Sequence, residues 1–236
     1  MQIPDNRGIR AFLNLAKSQG FRINSRPYEL NIFGVRSNST TPNKFDDKIY
    51  VFYKTDKGAW EGKEFNATTD PGTFWLNNPM SPQGTAILKA GQYINSHKLG
   101  LHKGQYEALV QQNPVIVLRD YDRNAILDFN NGKEEKGVFG INIHRANASG
   151  TTKSVDKYSA GCQVFENADD FAKFIEMAKK HKELYGNNFT YTLVDERAYL
   201  RNLKRRGAYI VGGIAIALAL WVAIRTYKNK SILPKF

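Results

Sequence analysis

The chain has little cysteine and few histidines for its 236 residues. Its one cysteine, Cys162, excludes an intramolecular disulfide and a cysteine-rich zinc site, because such a site needs several thiolates. The four histidines are scattered at positions 97, 102, 144 and 181, and no HExxH motif is present. We therefore expect no metal site. The lone cysteine is either an unreactive core residue or a reactive thiol.

Acidic residues are missing from the C-terminal part of the chain. Positions 197–236 hold nine Lys or Arg and no Asp or Glu, so residues 1–196 carry only +3 of the formal net charge of +12. The basic residues flank an apolar segment, which favours a membrane partner over nucleic acid. A nucleic-acid binder is the weaker alternative, because the body is nearly neutral and shows no known binding motif. We expect no nucleic-acid partner.

The apolar segment, residues 208–224, reads AYIVGGIAIALALWVAI and contains no charged residue. At ~1.5 Å per residue it would span roughly 25 Å, at the short end for a transmembrane helix. Tyr209 and Trp221 lie near its ends, as interface aromatics do. We predict a single-pass C-terminal anchor at 208–224, between a basic linker at 196–207 and a basic tail at 225–236. A buried core helix is the alternative.

The sequence does not indicate how this anchor is oriented in the membrane, and it shows no signal peptide. Basic residues lie on both sides of the segment in nearly equal number, so the positive-inside rule gives no preference. Residues 1–20 contain no apolar run of the signal-peptide kind, so we expect no classical signal peptide. Gly213 and Ala217 form a small-xxx-small pair that would support self-association through the helix.

The body is predicted to be mainly β. Runs rich in β-branched and aromatic residues predict strands at 28–35, 49–53, 63–68, 73–76, 115–119, 139–144 and 189–194. The clearest helix is 168–185, with Asn167 as its N-cap and Gly186 after its last turn. We predict one β-rich domain over residues 28–195 with one or two helices. Apolar residues at helical spacing predict that the preceding arm, 1–27, forms an amphipathic helix that packs on the body.

Charged turns are predicted at 120–124 and 130–136. The first of these reads DYDRN and resembles a calcium-binding loop. No Glu follows at the spacing of an EF-hand, so we do not expect bound calcium there.

The stretch 139–165, FGINIHRANASGTTKSVDKYSAGCQVF, combines a histidine, a tight turn and the cysteine. A nucleophilic cysteine needs a base, because a thiol with a pKa of about 8.5 is mostly protonated at neutral pH. His144, at the end of a predicted strand, would supply one. Backbone N–H groups in the small-residue turn before Cys162 would stabilise an oxyanion. A buried, unreactive cysteine is the alternative.

Upstream, residues 69–76 read TDPGTFWL. Together with His144 and the following SAGC, this stretch resembles the L,D-transpeptidase-type catalytic domain, a β-rich sandwich or barrel with a cysteine nucleophile. The two elements are similar to the family's TPxGxF element and H…SxGC arrangement, although Asp70 separates the Thr from the Pro. The resemblance covers roughly residues 45–166, with an unaligned stretch between the elements. IHRA and SAGCQVF are similar in particular to small phage-encoded proteins of this type.

The resemblance implies a role for each matching residue. These are Cys162 as nucleophile, His144 as general base and then acid, Ser159 orienting the imidazole or the turn, the N–H groups of Gly161 and Cys162 as oxyanion hole, and Pro71, Gly72 and Phe74 along the substrate groove. The family commonly has His where this chain has Ala160 and Arg where it has Val164. That Arg holds a substrate carboxylate, and Arg145 is the candidate to replace it.

The resemblance also implies a substrate and a setting. The family acts on peptidoglycan stem peptides by acyl transfer through a thioester and needs no cofactor. We therefore expect a membrane-tethered cysteine peptidase or transpeptidase of the host cell envelope or a virion, such as a phage lysin or a virion-associated lytic protein. The two departures leave hydrolysis open beside transpeptidation. The alternative of another class is an inactive wall-binding or virion structural protein that retains the fold.

Overall fold

The computed structural model describes residues 6–129 and 132–196. The predicted membrane segment, 208–224, lies outside these residues, as do most of the basic linker and all of the basic tail. No helix in the described part of the chain is long and apolar enough to cross a membrane.

The described chain is mainly β with few helices, as predicted. The strands are β1 (Asn31–Arg36), β2 (Asp47–Lys54), β3 (Trp60–Thr68), β4 (Thr85–Leu88), β5 (Gly91–His102), β6 (Tyr106–Gln111), β7 (Val115–Asp120), β8 (Glu134–Gly137), β9 (Ile143–Arg145), β10 (Gln163–Phe165) and β11 (Phe189–Asp195). The helices are α1 (Asn6–Gln19), α2 (Thr73–Asn77) and α3 (Ala168–Tyr185), with a 3₁₀ turn at Asp156–Tyr158.

Eight of these strands close into a barrel in the order β1-β11-β5-β6-β9-β10-β3-β2. A separate three-stranded sheet has the order β4-β7-β8. Short β9 and β10 pair in parallel, and β10 pairs antiparallel with β3. This pairing places the strand that leads into the TDPG stretch, the histidine strand and the cysteine strand in one region of the barrel.

Helix α3 has the bounds that the sequence predicts. The Asn167 side chain accepts hydrogen bonds from the backbone N–H groups of Asp169 (2.9 Å) and Asp170 (3.0 Å), which caps the first turn. The apolar stripe of the helix is buried in the main core, where Phe174 stacks on Phe165 of β10 with ring centroids 5.0 Å apart. The helix thereby supports the strand that follows Cys162.

The apolar spacing near the N-terminus also predicts α1 correctly. Ile9 and Ala16 are buried against Phe33 of β1 and Phe52 of β2 in a second cluster. The helix therefore packs on the body of the domain through its apolar side.

Two predicted strands differ from the structure. Residues 73–76 form α2 rather than a strand. The Gly72 carbonyl accepts the first helical hydrogen bonds, from the N–H groups of Trp75 (3.1 Å) and Leu76 (3.2 Å), while the Gly72 N–H donates to the Ser159 carbonyl (2.9 Å). The strand predicted at 139–144 begins only at Ile143. Gly140 has a φ of +75°, and the N–H groups of 139 and 141 donate to the Gln111 side chain instead of a ladder.

The charged turn predicted at 130–136 is also wrong in part. Residues 134–137 form β8, which pairs with β7 at the edge of the three-stranded sheet. An edge strand buries little side-chain surface, and the side chains of β8 are mostly charged and exposed. Its sequence therefore resembles that of a turn.

Candidate active site

His144 and Cys162 are brought to one face of two paired strands. In the parallel pair β9–β10, Val164 lies opposite His144. Because side chains alternate along a strand, Cys162, two residues before Val164, projects from the same face as His144. Their neighbours Ile143 and Phe165 project from the other face into the main core. The local pairing therefore places His144 and Cys162, 18 positions apart in the sequence, on neighbouring strands. Their action as a catalytic pair stays a prediction.

The imidazole of His144 is buried, and only its Nδ1 atom has hydrogen-bond partners within the described chain. Nδ1 lies 2.8 Å from the Arg145 carbonyl oxygen and 3.2 Å from the Tyr106 hydroxyl, which itself donates to the same carbonyl at 3.2 Å. Since a carbonyl only accepts, the ring hydrogen sits on Nδ1. Nε2 then carries a lone pair, and it has no hydrogen-bond partner among the described residues. This is the tautomer that a general base requires.

A second histidine covers the first. The rings of His102 and His144 stack with centroids 4.0 Å apart and planes 20° from parallel. His102 Nδ1 accepts a hydrogen bond from the Asn142 amide at 3.1 Å, which fixes its orientation. Burial, with the neighbouring His102 as a smaller cause, lowers the pKa of His144 to about 3. His144 is therefore a neutral base at physiological pH.

The Cys162 thiol is partly exposed and protonated at neutral pH. Its Sγ donates to the Gly140 carbonyl oxygen at 3.3 Å and makes no hydrogen bond to His144. Burial raises the pKa of the Cys162 thiol, while the Asn142 backbone N–H and the charge of Lys103 oppose that rise. The resting site therefore holds a neutral thiol and a neutral imidazole rather than a thiolate–imidazolium pair. Attack by sulfur requires the thiol to leave Gly140 and transfer its proton.

The raised pKa predicts slow alkylation of Cys162 at neutral pH. Iodoacetamide reacts with the thiolate, so the rate should rise with pH to a midpoint above the ~8.5 of an ordinary thiol. The Lys103→Gln variant should move this midpoint still higher, because the lysine charge lowers the pKa of Cys162. Mass spectrometry of the Cys162 peptide after timed alkylation gives the rate. A midpoint at or below neutral pH would show a preformed thiolate and contradict this description.

The turn before Cys162 is held by Ser159. Its Oγ donates to the Cys162 carbonyl (2.8 Å) and accepts from the Gly161 N–H (3.1 Å). Ser159 therefore orients the turn and makes no hydrogen bond to the imidazole among the described residues. Of the two N–H groups expected to form the oxyanion hole, that of Gly161 is already hydrogen-bonded to Ser159. The N–H of Cys162 donates to no described residue. It is the better-placed donor for a developing oxyanion.

Glycine is required at position 161. Its φ is +119°, and a Cβ there would lie 2.2 Å from the Ala86 carbonyl oxygen of β4. We expect Gly161→Ala to lower the free energy of unfolding by about 2–5 kcal/mol, from backbone strain and overpacking together.

The matched control is Gly150→Ala, where φ is +67° but nothing lies within 4 Å of the added Cβ. It should cost about 1–2 kcal/mol, from the backbone conformation alone. Denaturant unfolding of both variants measures the difference. Equal losses would show that β4 does not confine the turn.

The TDPG segment lies directly against the same turn. Besides the bond from Gly72 to the Ser159 carbonyl, a Cβ on Gly72 would lie 2.0 Å from the Asp156 carbonyl oxygen, so only glycine fits this approach. Pro71 is buried beside it. Phe74 lies on α2 with the Lys157 ammonium 4.4 Å from its ring centroid. The structure thus joins Pro71 and Gly72 to the cysteine turn.

Phe74 stands apart from the reacting groups. Within the described chain its ring contacts are with Trp75 and Lys157, and none is with His144 or Cys162. Whether a bound substrate reaches Phe74 stays a prediction.

The extra Asp70 in the TDPG segment has a structural explanation. Its Oδ1 lies 2.7 Å from Nε of Arg36, which is 1% exposed. The same guanidinium donates to the Thr69 carbonyl (2.9 Å) and to the Leu88 carbonyl (2.9 Å). A buried arginine needs a charged partner and a full set of acceptors. Asp70 supplies the charge and ties the segment to β1 and β4.

Two basic side chains flank the His–Cys pair. Arg145 lies 4.4 Å above the Tyr106 ring centroid and is paired with no carboxylate in the described chain. Lys103, in the β5–β6 turn, is close enough to lower the pKa of His144, His102 and Cys162. The site therefore carries positive charge suited to a substrate carboxylate. Val164, where the family has an arginine, is fully buried opposite His144 and could hold no charge there without repacking.

Sequence reasoning missed four residues of this site, namely His102, Lys103, Tyr106 and Asn142. The first three come from the β5–β6 hairpin, which the sequence pattern did not reveal as strands. The sequence shows that Asn142 is a polar residue two positions before His144. Its contacts with His102 and Cys162 could not be predicted, because they depend on strand pairing. The hairpin signal lies in Lys103-Gly104, both of which have positive φ.

Comparisons with known proteins give no match, whether with family models, curated proteins or solved structures.

Proposed function

We propose that this chain is a cysteine-nucleophile acyl-transfer enzyme of the L,D-transpeptidase type. The observation that carries the proposal is the pairing of β9 with β10. It sets a partly exposed cysteine and an imidazole with a free Nε2 lone pair on one face, beside a turn with an open N–H. The mainly β barrel and the contact of the TDPG segment with the cysteine turn support the finer assignment of an L,D-transpeptidase-like fold.

The proposed reaction begins with proton transfer from Sγ of Cys162 to Nε2 of His144. The sulfur attacks a peptide carbonyl, and the Cys162 N–H stabilises the oxyanion. Collapse of this intermediate breaks the C–N bond, and the imidazolium returns the proton to the leaving amine. The product is a thioester on Cys162. Water or a second amine then attacks it, giving hydrolysis or transpeptidation and restoring the thiol.

The proposed substrate is a peptidoglycan stem peptide. Stem peptides carry free carboxylates, and the unpaired Arg145 and nearby Lys103 provide matching positive charge at the site. This charge supports the assignment of Arg145 as the substrate-binding residue. We expect no cofactor in this reaction, since nucleophile, base and oxyanion donor all come from the chain.

The proposed setting is a membrane-tethered protein of the host cell envelope or a virion. Residues 208–224 would form the anchor, and basic residues on both sides would face the lipid headgroups. A phage lysin or a virion-associated lytic protein fits this combination of an anchor with a wall-directed site. Gly213 and Ala217 would allow pairing of two anchors.

The second candidate is a wall-binding or virion structural protein that keeps the fold without turnover. The hydrogen bond from the thiol to Gly140 and the raised pKa of Cys162 favour it, because both hold the sulfur in its unreactive form. The departures at Ala160 and Val164 point the same way.

The experiment uses the full-length chain in detergent micelles. It is incubated with purified peptidoglycan and with tetrapeptide and pentapeptide muropeptides, and products are weighed by mass spectrometry. Loss of a terminal residue, a cleaved cross-link or a new cross-link would support the enzyme and identify its reaction. Unchanged muropeptides, with folded protein that sediments with peptidoglycan, would favour the binding protein.

A further inference from the structure

A cluster of three carboxylates lies at the end of β7, outside the His–Cys site. Asp120 is the last residue of that strand, and Asp122 and Asp128 follow in the next loop. One carboxylate oxygen from each of the three lies within 4.8 Å of the other two. Like charges at this spacing repel one another unless a cation lies between them.

Asp120 gives a second, independent indication of a ligand. The residue is 1% exposed, and its Oδ1 is buried without a hydrogen-bond donor among the described residues. Its Oδ2 accepts the Asp128 backbone N–H, at 3.2 Å. Neither Asp120 nor Asp122 forms an ion pair with a lysine or arginine in the described ranges. A cation bound between the carboxylates, or a proton shared with Asp122, would stabilise a buried carboxylate oxygen in this state.

The spacing of the oxygen donors identifies the class of cation. Counted from Asp120 as position 1, Asp122, Asn124 and Asp128 fall at positions 3, 5 and 9 of a calcium loop. Position 6, where such loops require a glycine turn, is Ala125, and it adopts a φ of +59°. Position 7 is Ile126, whose backbone carbonyl would be the corresponding ligand.

The buried, unpartnered Oδ1 of Asp120 reverses the expectation from the sequence, and we propose that the loop 120–128 binds one Ca²⁺ ion through Asp120, Asp122 and Asp128. The absence of a glutamate at position 12 lowers the affinity but leaves these donors in place. Mg²⁺ should bind more weakly, because it demands near-octahedral geometry and keeps its waters. We expect a Kd on the order of 10⁻⁴–10⁻³ M, the range of extracellular calcium modules.

The bound ion would also stabilise the wall of the His–Cys site. Leu127, inside the loop, is buried against Leu76 of α2 and Ile87 of β4. Its backbone N–H donates to the Thr40 carbonyl at 3.2 Å. Helix α2 follows the TDPG segment, and β4 confines Gly161. Ordering the loop would therefore hold both of these elements in place.

Titration of the full-length chain with CaCl₂ tests the proposal. Calorimetry should show one site, and Tm followed by tryptophan fluorescence should rise by several degrees at saturating Ca²⁺. Tb³⁺, a luminescent substitute for Ca²⁺, should be sensitised by Tyr121, which lies between two ligands. Asp122→Asn should weaken Ca²⁺ binding by about tenfold or more. Because it removes a repelling charge, its Tm without calcium should not fall.

Matched variants separate binding at this loop from a general effect of charge. Asp56→Asn, in the β2–β3 turn, should leave the calcium response unchanged, and Tyr121→Phe should lose the Tb³⁺ signal while still binding Ca²⁺. No heat and no Tm shift up to millimolar Ca²⁺ in the folded wild-type chain would overturn the proposal. An equal response in wild type and Asp122→Asn would overturn it too, since the ion would then bind elsewhere.

Discussion

Replacing Cys162 with alanine is expected to abolish turnover of muropeptides, with a loss of roughly 10³-fold or more in kcat. No other cysteine exists in the chain to take over the attack. The side chain is partly exposed and makes one weak hydrogen bond, to the Gly140 carbonyl, so its removal should cost little stability. Product analysis by mass spectrometry gives the rate.

The control for this variant is Cys162→Ser, which keeps the size and the hydrogen bond to Gly140 but is a far weaker nucleophile. Both variants should melt within about 3 °C of the wild type. A Cys162→Ala protein that is folded and retains full activity would rule out the thiol as nucleophile.

His144→Gln is expected to lower kcat by about 10²–10⁴-fold, the usual contribution of a positioned general base. Burial lowers the pKa of His144 to about 3, so the wild-type imidazole is neutral at pH 7 with its Nε2 lone pair unoccupied. The same low pKa makes it a weak base in the resting site, so the proton transfer has to be coupled to attack on the substrate. A glutamine fills similar space but cannot take up a proton. His102→Phe is the control, because it keeps an aromatic ring stacked on His144 and leaves the His144 imidazole itself unchanged. It should retain most of the activity.

Acid sensitivity gives a second readout of the same residue. The folded pKa of His144 lies below the ~6.5 of an unfolded chain, so its contribution to stability is present above pH ~6.5 and lost as the pH falls toward 3. At pH 5 this loss is about 2 kcal/mol. The free energy of unfolding of His144→Gln should therefore fall less between pH 7 and pH 5 than that of the wild type. Equal losses would mean that the imidazole is not buried as described.

Local signals predicted the parts of the fold that depend on neighbouring residues. Helix α3 was predictable because its cap, its apolar stripe and its terminal Gly186 all lie within the segment. The helix at residues 73–77 was not, because β-branched and aromatic residues there favour a strand. The hydrogen bond from Gly72 to Ser159, a partner far along the chain, is a tertiary contact that the local pattern does not contain.

The candidate site also combines residues that local sequence predicts with residues that it does not. His144, Cys162 and the glycine turn could be predicted because they lie in one segment with a recognisable order. Tyr106 and His102 could not, since they reach His144 only through closure of the barrel by the β5–β6 hairpin. Likewise, the unpartnered oxygen of Asp120 appears only when β7 is placed against β4.

The most direct test of the central proposal is to weigh the Cys162 peptide during turnover. The full-length chain in micelles is mixed with a tetrapeptide muropeptide, quenched in acid at a series of short times, digested and analysed by mass spectrometry. The proposed mechanism predicts that the Cys162 peptide gains the mass of the acyl part of the substrate and loses it again as product forms. Turnover with Cys162 unmodified at every time, together with product release by Cys162→Ala, would contradict it.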